Sequence, residues 1–192
     1  MKTFFRIICI GLLVVLFSEF SFAKEFNFRK TNWGMSIAQV KSSEPPAKWE
    51  GDGNRLLYKT NVIGKDVIIA YYFVDNQLVR AEYVLVDNHT NLNDFIGDYT
   101  DFEEILIKKY GKPKRDEQVW RNDLFKEKHS DWGMAISVGH LMYYSSWETQ
   151  DTEIDILLMG ENYIVKCVVE YRSKNLKAKE KKAREKKALD VF

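Results

Sequence analysis

Six short runs of strand-forming residues, arranged as two groups of three, constrain the fold of this chain more than any other feature. The runs cover residues 55–62, 66–74 and 78–86, and then residues 141–149, 152–159 and 163–172. Gly64-Lys65 and Asp75-Asn76-Gln77 supply turn residues within the first group, and such short connections join antiparallel neighbours. Each group therefore predicts a three-stranded antiparallel meander.

Apolar and charged side chains alternate in the third run. Val79, Ala81, Tyr83 and Leu85 alternate with Arg80 and Glu82. Because successive side chains of a strand point to opposite faces, this sheet should have one buried face and one face in partial contact with water.

Two helices are predicted from their capping residues. Ser36 and Gln39 have the spacing of a capping box, and Pro45 and Pro46 stop the short helix that follows. Thr100 and Glu103 repeat this spacing at the start of a helix over residues 100–110. Its apolar stripe comprises Phe102, Ile105, Leu106 and Tyr110. The chain is therefore expected to be α+β, with antiparallel meander sheets packed against short helices.

The two halves of the chain resemble each other. The hairpin motif around Ile68-Ile69, Asn76 and Val79 is echoed around Ile154, Asn162 and Ile164, and Trp33-Gly34-Met35 is echoed by Trp132-Gly133-Met134. We therefore predict two related helix-plus-three-strand units, in halves 30–98 and 114–173, joined by helix 100–110. Coincidence is the alternative, because hairpins are common and short matches arise easily.

The first 23 residues have the pattern of a cleavable secretory signal. Lys2 and Arg6 precede an apolar run over residues 7–17, and Ser21 and Ala23 place small residues before a cleavage site after Ala23. A helix of this run would rise only about 16 Å, roughly half of a hydrocarbon core, which argues against a membrane anchor. We expect an exported protein, periplasmic or else secreted, with residues 24–173 forming one domain.

The charge and the cysteines of the chain limit its partners and its means of stabilisation. The 29 basic and 28 acidic residues nearly cancel, so nothing predicts a nucleic-acid partner. Cys167 is the only cysteine beyond the leader, and it lies on the apolar side of a predicted strand, where a buried structural thiol is expected.

Residues 174–192 differ from the body in composition, because basic residues dominate them. One interpretation is a solvated, exposed basic tail. The other is an arm that makes weak contact with an anionic membrane surface or an acidic partner.

No group of residues predicts an active site. His89, His129 and His140 lack the spacing of zinc ligands, and no Gly-x-Ser-x-Gly turn presents Ser145 or Ser146 to His140. Asp151, Glu153 and Asp155 alternate on one side of a strand, as the exposed half of any sheet does, although such a set can also bind a cation. We therefore predict no catalytic residue, no metal and no cofactor, and the sequence leaves the binding residues unassigned.

Two short windows carry a resemblance to a known family. Trp33-Gly34-Met35-Ser36-Ile37-Ala38-Gln39-Val40 and Lys109-Tyr110-Gly111-Lys112-Pro113, followed by Asp116 and Trp120, resemble the BamE/SmpA-type envelope modules, whose fold is shared by the beta-lactamase inhibitor proteins. The chain departs from that pattern because a whole meander separates the two windows and the lipid-bearing cysteine is missing. The resemblance implies a non-catalytic binding or scaffold role in a bacterial envelope.

The function expected from the sequence is binding or scaffolding of another protein in the periplasm or cell envelope, through an exposed sheet face or edge strand. A carrier of a small molecule or lipid, with an apolar pocket between sheet and helices, is the first alternative. A hydrolase with unrecognised catalytic residues is the second.

Overall fold

The computed structural model describes residues 26–44 and 48–190. The predicted leader and its cleavage site after Ala23 lie outside the described residues. The strands are β1 Arg55–Val62, β2 Lys65–Val74, β3 Gln77–Leu85, β4 Arg115–Trp120, β5 Leu141–Glu148, β6 Thr152–Glu161 and β7 Ile164–Ser173. The helices are α1 Ile37–Ser43, α2 Asp94–Tyr110, α3 Trp132–Ser137 and α4 Lys177–Leu189.

All seven strands form one antiparallel sheet in the order β1-β2-β3-β7-β6-β5-β4. The two meanders meet at the β3–β7 pair, where Arg80 lies opposite Arg172. Helix α1 precedes the first meander and α3 precedes strands β5 to β7. The predicted α+β class with antiparallel meanders is thus confirmed, and the two meanders form one sheet.

Three tight turns set the register of the meanders. Ile63-Gly64, Asp75-Asn76 and Asn162-Tyr163 each connect two directly paired strand ends, and all six residues have positive φ between 48° and 83°. Two-residue hairpin loops need this backbone conformation because it matches the twist of the strands. Glycine and Asn adopt it readily, so the turn residues seen in the sequence explain the strand bounds.

One face of the sheet carries the core beneath α1, α2 and α3. Helix α2 packs on β6 and β7, and it contributes Phe95, Tyr99, Phe102 and Leu106 to the apolar cluster. Val67, Ile69 and Tyr71 of β2 and Ile154, Ile156 and Leu158 of β6 belong to the same cluster. The helix that follows the first meander therefore lies over strands of the second.

A buried carboxylate fixes the end of α1 to the sheet. Glu44 accepts hydrogen bonds from the hydroxyls of Tyr58 at 2.9 Å and Tyr71 at 2.7 Å, and from Nε of Arg29 at 3.1 Å. Burial, followed by the hydrogen bond to Glu44, raises the pKa of both tyrosines. The hydroxyls therefore stay protonated and donate, which satisfies the acceptor capacity of the carboxylate.

The predicted start of helix 100–110 was wrong, whereas the predicted cap of α1 is confirmed. Ser36 and Gln39 form both bonds of a capping box, at 3.3 and 2.8 Å. Helix α2 instead begins at Asp94, and the hydroxyl of Thr100 donates to the carbonyl of Ile96 inside the helix. Thr100 has no exposed backbone N–H to cap there, so its hydroxyl bonds back to the preceding turn.

Strand β4 did not stand out in the sequence. Its residues Arg115 to Trp120 are mostly charged or polar, and only Val119 and Trp120 are apolar. The strand forms at the sheet edge by pairing with β5 along its whole length. Edge strands tolerate such charged composition because it discourages pairing with other chains.

The basic segment after β7 contains α4, which lies against the sheet through Glu180 while most of its lysines are exposed.

Within residues 26–44 and 48–190, no helix has both the length and the apolar character needed to cross a bilayer.

Candidate binding surface on the open sheet face

The sheet face opposite the core, which we call the open face, is partly accessible to solvent. Its side chains alternate with those of the core, as Val84 does with Tyr83 and Leu85, and Val168 does with Cys167 and Val169. Val84 and Val168 are both partly exposed. Helix α4 crosses one end of this face, where Glu180 contacts Arg80 and Arg172.

A row of apolar side chains crosses the open face. The backbone register places residues of all seven strands side by side in the order Lys59, Ile68, Val84, Val168, Leu157, Tyr144 and Glu117. The middle five, which we call the apolar row, are partly exposed. The row therefore presents a continuous apolar strip whose two ends are charged.

Carboxylates lie next to the apolar row on the side nearer α4. Two residues further along their strands, Glu82, Glu170 and Asp155 are neighbours across β3, β7 and β6. We call these three the acidic row. The hydroxyl of Tyr144 donates to Asp155 at 2.7 Å. Burial raises the pKa of Glu170, with the charges of Arg172 and Arg80 opposing that effect.

Helix α4 is held over the end of the open face by ion pairs. Glu180, the buried residue of this helix, lies 2.9 Å from Nε of Arg80 and 3.6 Å from Nε of Arg172. In the first turn of the helix, Lys177 contacts Glu153 at 2.8 Å and Lys179 contacts Asp75 at 3.0 Å. Charge therefore dominates this contact.

A groove of about 620 Å³ runs between α4 and strands β2 and β3. Charged side chains dominate its lining, including Asp52, Arg55, Arg80, Glu180, Arg184 and Lys187. An apolar ligand would leave these charges without water, at a cost in free energy.

The structure does not bring the three histidines together. His89 lies 2.5 Å from the buried Asp98, which also accepts a hydrogen bond from Lys65 at 2.6 Å. His129 stacks on Trp132, and His140 lies beside Phe125. Among the described residues, no group of three or more His, Cys, Asp or Glu side chains has the arrangement of a metal site.

The serines and the alternating acids have separate environments. Ser145 is buried and bonds with Tyr99 and Glu103, and no hydrogen bond among the described residues joins it or Ser146 to His140. Of the alternating acids, Asp155 belongs to the acidic row and Glu153 pairs with α4, whereas Asp151 lies in the β5–β6 turn near Asn175.

Cys167 is buried, as its strand pattern predicts. Burial raises the pKa of its thiol to about 12. The side chain is therefore a neutral core residue at physiological pH rather than a nucleophile.

The residues that define this surface were not singled out by sequence reasoning. In the sequence, Arg80, Glu82, Glu170 and Arg172 only mark the polar side of two predicted strands. Their meeting depends on the β3–β7 pairing, which joins segments about 90 residues apart. Comparisons of the chain with protein-family models, curated proteins and solved structures found no match.

Proposed function

We propose that this protein is an exported, non-catalytic binding or scaffold protein of the bacterial periplasm or cell envelope, and that it holds another protein on the apolar row. The observation that supports this function is the row itself. Ile68, Val84, Val168, Leu157 and Tyr144 form one strip on the open face while three helices cover the other face.

A surface of this kind suits protein binding for physical reasons. An antiparallel sheet can leave one face in water, but that face is then usually polar, and contiguous exposed apolar patches are uncommon on monomers. Ile68, Val84 and Val168 are β-branched, so they lose little side-chain entropy when a partner covers them. The resemblance to envelope modules and the leader sequence support the proposed location.

The carrier alternative has less support in the geometry. Aromatic and aliphatic side chains of one apolar cluster fill the space between the sheet and helices α1 to α3. The groove beside α4 is lined mainly by charged residues. Neither feature provides the apolar pocket that a lipid carrier uses.

Photo-crosslinking in intact cells tests the proposed function. A photoreactive amino acid at Val168 should yield one defined protein adduct, identified by mass spectrometry, because a bound partner would lie within reach of the apolar row. The control is the same amino acid at Ile105, an exposed apolar residue of α2 on the other side of the molecule. Equal adducts from both positions, or none from Val168, would refute binding on the open face.

A further inference from the structure

Helix α4 shows how the open face accepts a helix. Lys177 at its start contacts Glu153 on β6, and Glu180 contacts Arg172 on β7 and Arg80 on β3. Further along the helix, Arg184 and Lys187 line the groove beside Tyr72 of β2 and Arg55 of β1. The helix therefore runs across the strands, and its 13 residues span several of them.

The space beside α4 has the dimensions of a second helix. Val84 and Val168 lie four residues along their strands from Arg80 and Arg172, a separation of about 13 Å. Packed helices lie roughly 8–10 Å apart, so a helix in contact with α4 would lie between the arginines and the valines. The five residues of the apolar row span about 19 Å, which is the length of about 13 helical residues.

The charges beside the apolar row favour one kind of helix. Glu82, Glu170 and Asp155 form the floor between α4 and the row. Arg80 pairs with Glu82, Glu170 and Glu180. Arg172 pairs with Glu170 and Glu180, so these three glutamates exceed the two arginines by one negative charge, and Asp155 adds to that excess. Asp155 is partly exposed and accepts only the Tyr144 hydroxyl among the described hydrogen bonds. A basic side chain over this floor gains attraction, whereas an acidic one is repelled.

We infer that the partner segment is a basic amphipathic helix that lies across the strands beside α4, with its apolar stripe on Ile68, Val84, Val168, Leu157 and Tyr144. Lysine or arginine residues on one flank of that helix face Glu82, Glu170 and Asp155. This inference rests on the proposed function and specifies the chemistry of the partner.

A peptide titration monitored by nuclear magnetic resonance tests this partner chemistry. The probe is a synthetic helical peptide of about 14 residues, with leucine at i, i+3 and i+4 spacing and lysine elsewhere. Its matched control replaces every lysine with glutamate. The lysine peptide should shift the methyl signals of Val84, Leu157 and Val168 and leave those of Ile105 unchanged, whereas the glutamate peptide should shift neither set.

Variants of the protein locate the binding. Val168→Asp should weaken binding of the lysine peptide by about tenfold or more, because it places a charge within the apolar contact. The double variant Val84→Thr/Val168→Thr keeps side-chain shape and strand propensity and should also weaken binding. It therefore tests the apolar row even if Val168→Asp fails to fold. Asp155→Asn should weaken binding up to about fivefold, and Glu104→Gln on the exposed side of α2 should have no effect.

The outcomes separate this inference from the proposed function. Equal binding of both peptides, or binding that both valine variants leave unchanged, overturns the basic-helix assignment. Crosslinking from Val168 without binding of the lysine peptide also overturns it but leaves the proposed function intact, whereas absence of any crosslink refutes both. A concentration-dependent dimer that Val168→Asp abolishes would assign the apolar row to a second copy and overturn the inference.

Discussion

Gly160 and Gly97 differ in how much space surrounds them. Gly160 of β6 lies directly beneath α3, and a Cβ atom there would be 2.4 Å from the carbonyl oxygen of Ile136. Gly97 lies on the exposed side of α2, where an added Cβ would meet nothing within 4 Å. The close approach of α3 to the sheet therefore depends on the absence of a side chain at Gly160.

The substitution Gly→Ala should have opposite effects at these two positions. Gly160→Ala should lower the free energy of unfolding by about 1–3 kcal/mol, because backbone atoms must move apart. Gly97→Ala should raise it by about 0.5–1 kcal/mol, because alanine favours the helix. Urea unfolding followed by circular dichroism measures both changes. An unchanged midpoint for Gly160→Ala would contradict the close packing of α3 on β6.

Buried groups that ionise at alkaline pH link stability to protonation. Burial raises the pKa of Cys167 from 9.0 to about 12 and that of Tyr143 from 10.0 to about 12. Both groups are protonated in the folded protein at pH values where the unfolded chain would lose their protons. The stability they contribute is therefore fully present below about pH 9.

We expect the free energy of unfolding to fall as the pH rises from about 9 towards 12. Tyr143→Phe keeps the ring and removes the ionisable hydroxyl, so this variant should lose less stability over that range than the parent protein. Tyr163→Phe, at an exposed turn, is the matched control and should follow the parent curve. Identical slopes for all three proteins would show that Tyr143 does not titrate in this way.

Local sequence likeness does not always indicate the same local conformation. Gly34 precedes α1 with φ of +82°, and its N–H donates to Leu78. Gly133 occupies the matching place in the second Trp-Gly-Met segment, but it lies inside α3, against the backbone of Leu92. The likeness therefore located two short helices correctly without predicting where each one begins.

At the scale of elements, the sequence predicts the bounds of a strand or helix well where neighbouring residues determine its ends. The turns at Asp75-Asn76 and Asn162-Tyr163 end their strands by local backbone geometry, and the strand bounds agree with the sequence within a few residues. The start of α2 depends on a distant segment instead. Asn93 accepts a hydrogen bond from Gly133 at 2.6 Å and donates to Ser130 at 2.7 Å, and neither contact can be read from the local sequence.

Helix α4 depends on tertiary contact more than on its own sequence. Its buried residue is Glu180, and its exposed surface is largely lysine and arginine. An isolated helix of this length is marginally stable in water, so the ion pairs with the open face should determine whether it stays folded.

Glu180→Ala should therefore release α4. Removal of the carboxylate leaves Arg80 and Arg172 with fewer partners and should lower the free energy of unfolding by about 1–3 kcal/mol. Hydrogen exchange of the amides in residues 177–189 should accelerate, while exchange in α2 stays slow. Among the described residues, Glu185→Ala loses an exposed contact to Lys181, so this control should change stability by less than about 0.5 kcal/mol. Unaltered exchange in Glu180→Ala would disprove the anchoring role of this residue.

At the scale of the whole molecule, the two meanders depend on each other. They form one sheet through the β3–β7 pair, and α2 from the first half packs on β6 and β7 of the second. The apolar side chains of both halves belong to one cluster. The halves resemble each other in arrangement, but they share a single core.

A fragment that ends after the first meander, residues 26–92, should therefore fail to fold cooperatively. It lacks α2 and exposes the β3 edge that β7 covers in the full chain. Circular dichroism with urea should show a sharp transition for the full chain and a gradual or absent one for the fragment. A cooperative transition of the fragment would mean that the first half is an independent domain.

The sequence could predict the α+β class and both meanders, but it could not predict the candidate surface. Alternation along β3 places Arg80 and Val84 on one face of that strand, and alternation along β7 does the same for Val168 and Arg172. Which of them become neighbours depends on the register between two strands that are distant along the chain. That register follows from burial of the opposite face, and therefore from the whole core.

The pairing of β3 with β7 has a consequence for the end of the chain. It sets Arg80 beside Arg172 and Glu82 beside Glu170, so like charges adjoin across the centre of the sheet. Glu180 adds a negative charge from α4 between the two guanidinium groups. Helix α4 thus bridges the strand pair that connects the two halves. Removal of the chain after Ser173 should therefore destabilise the centre of the sheet rather than its edge.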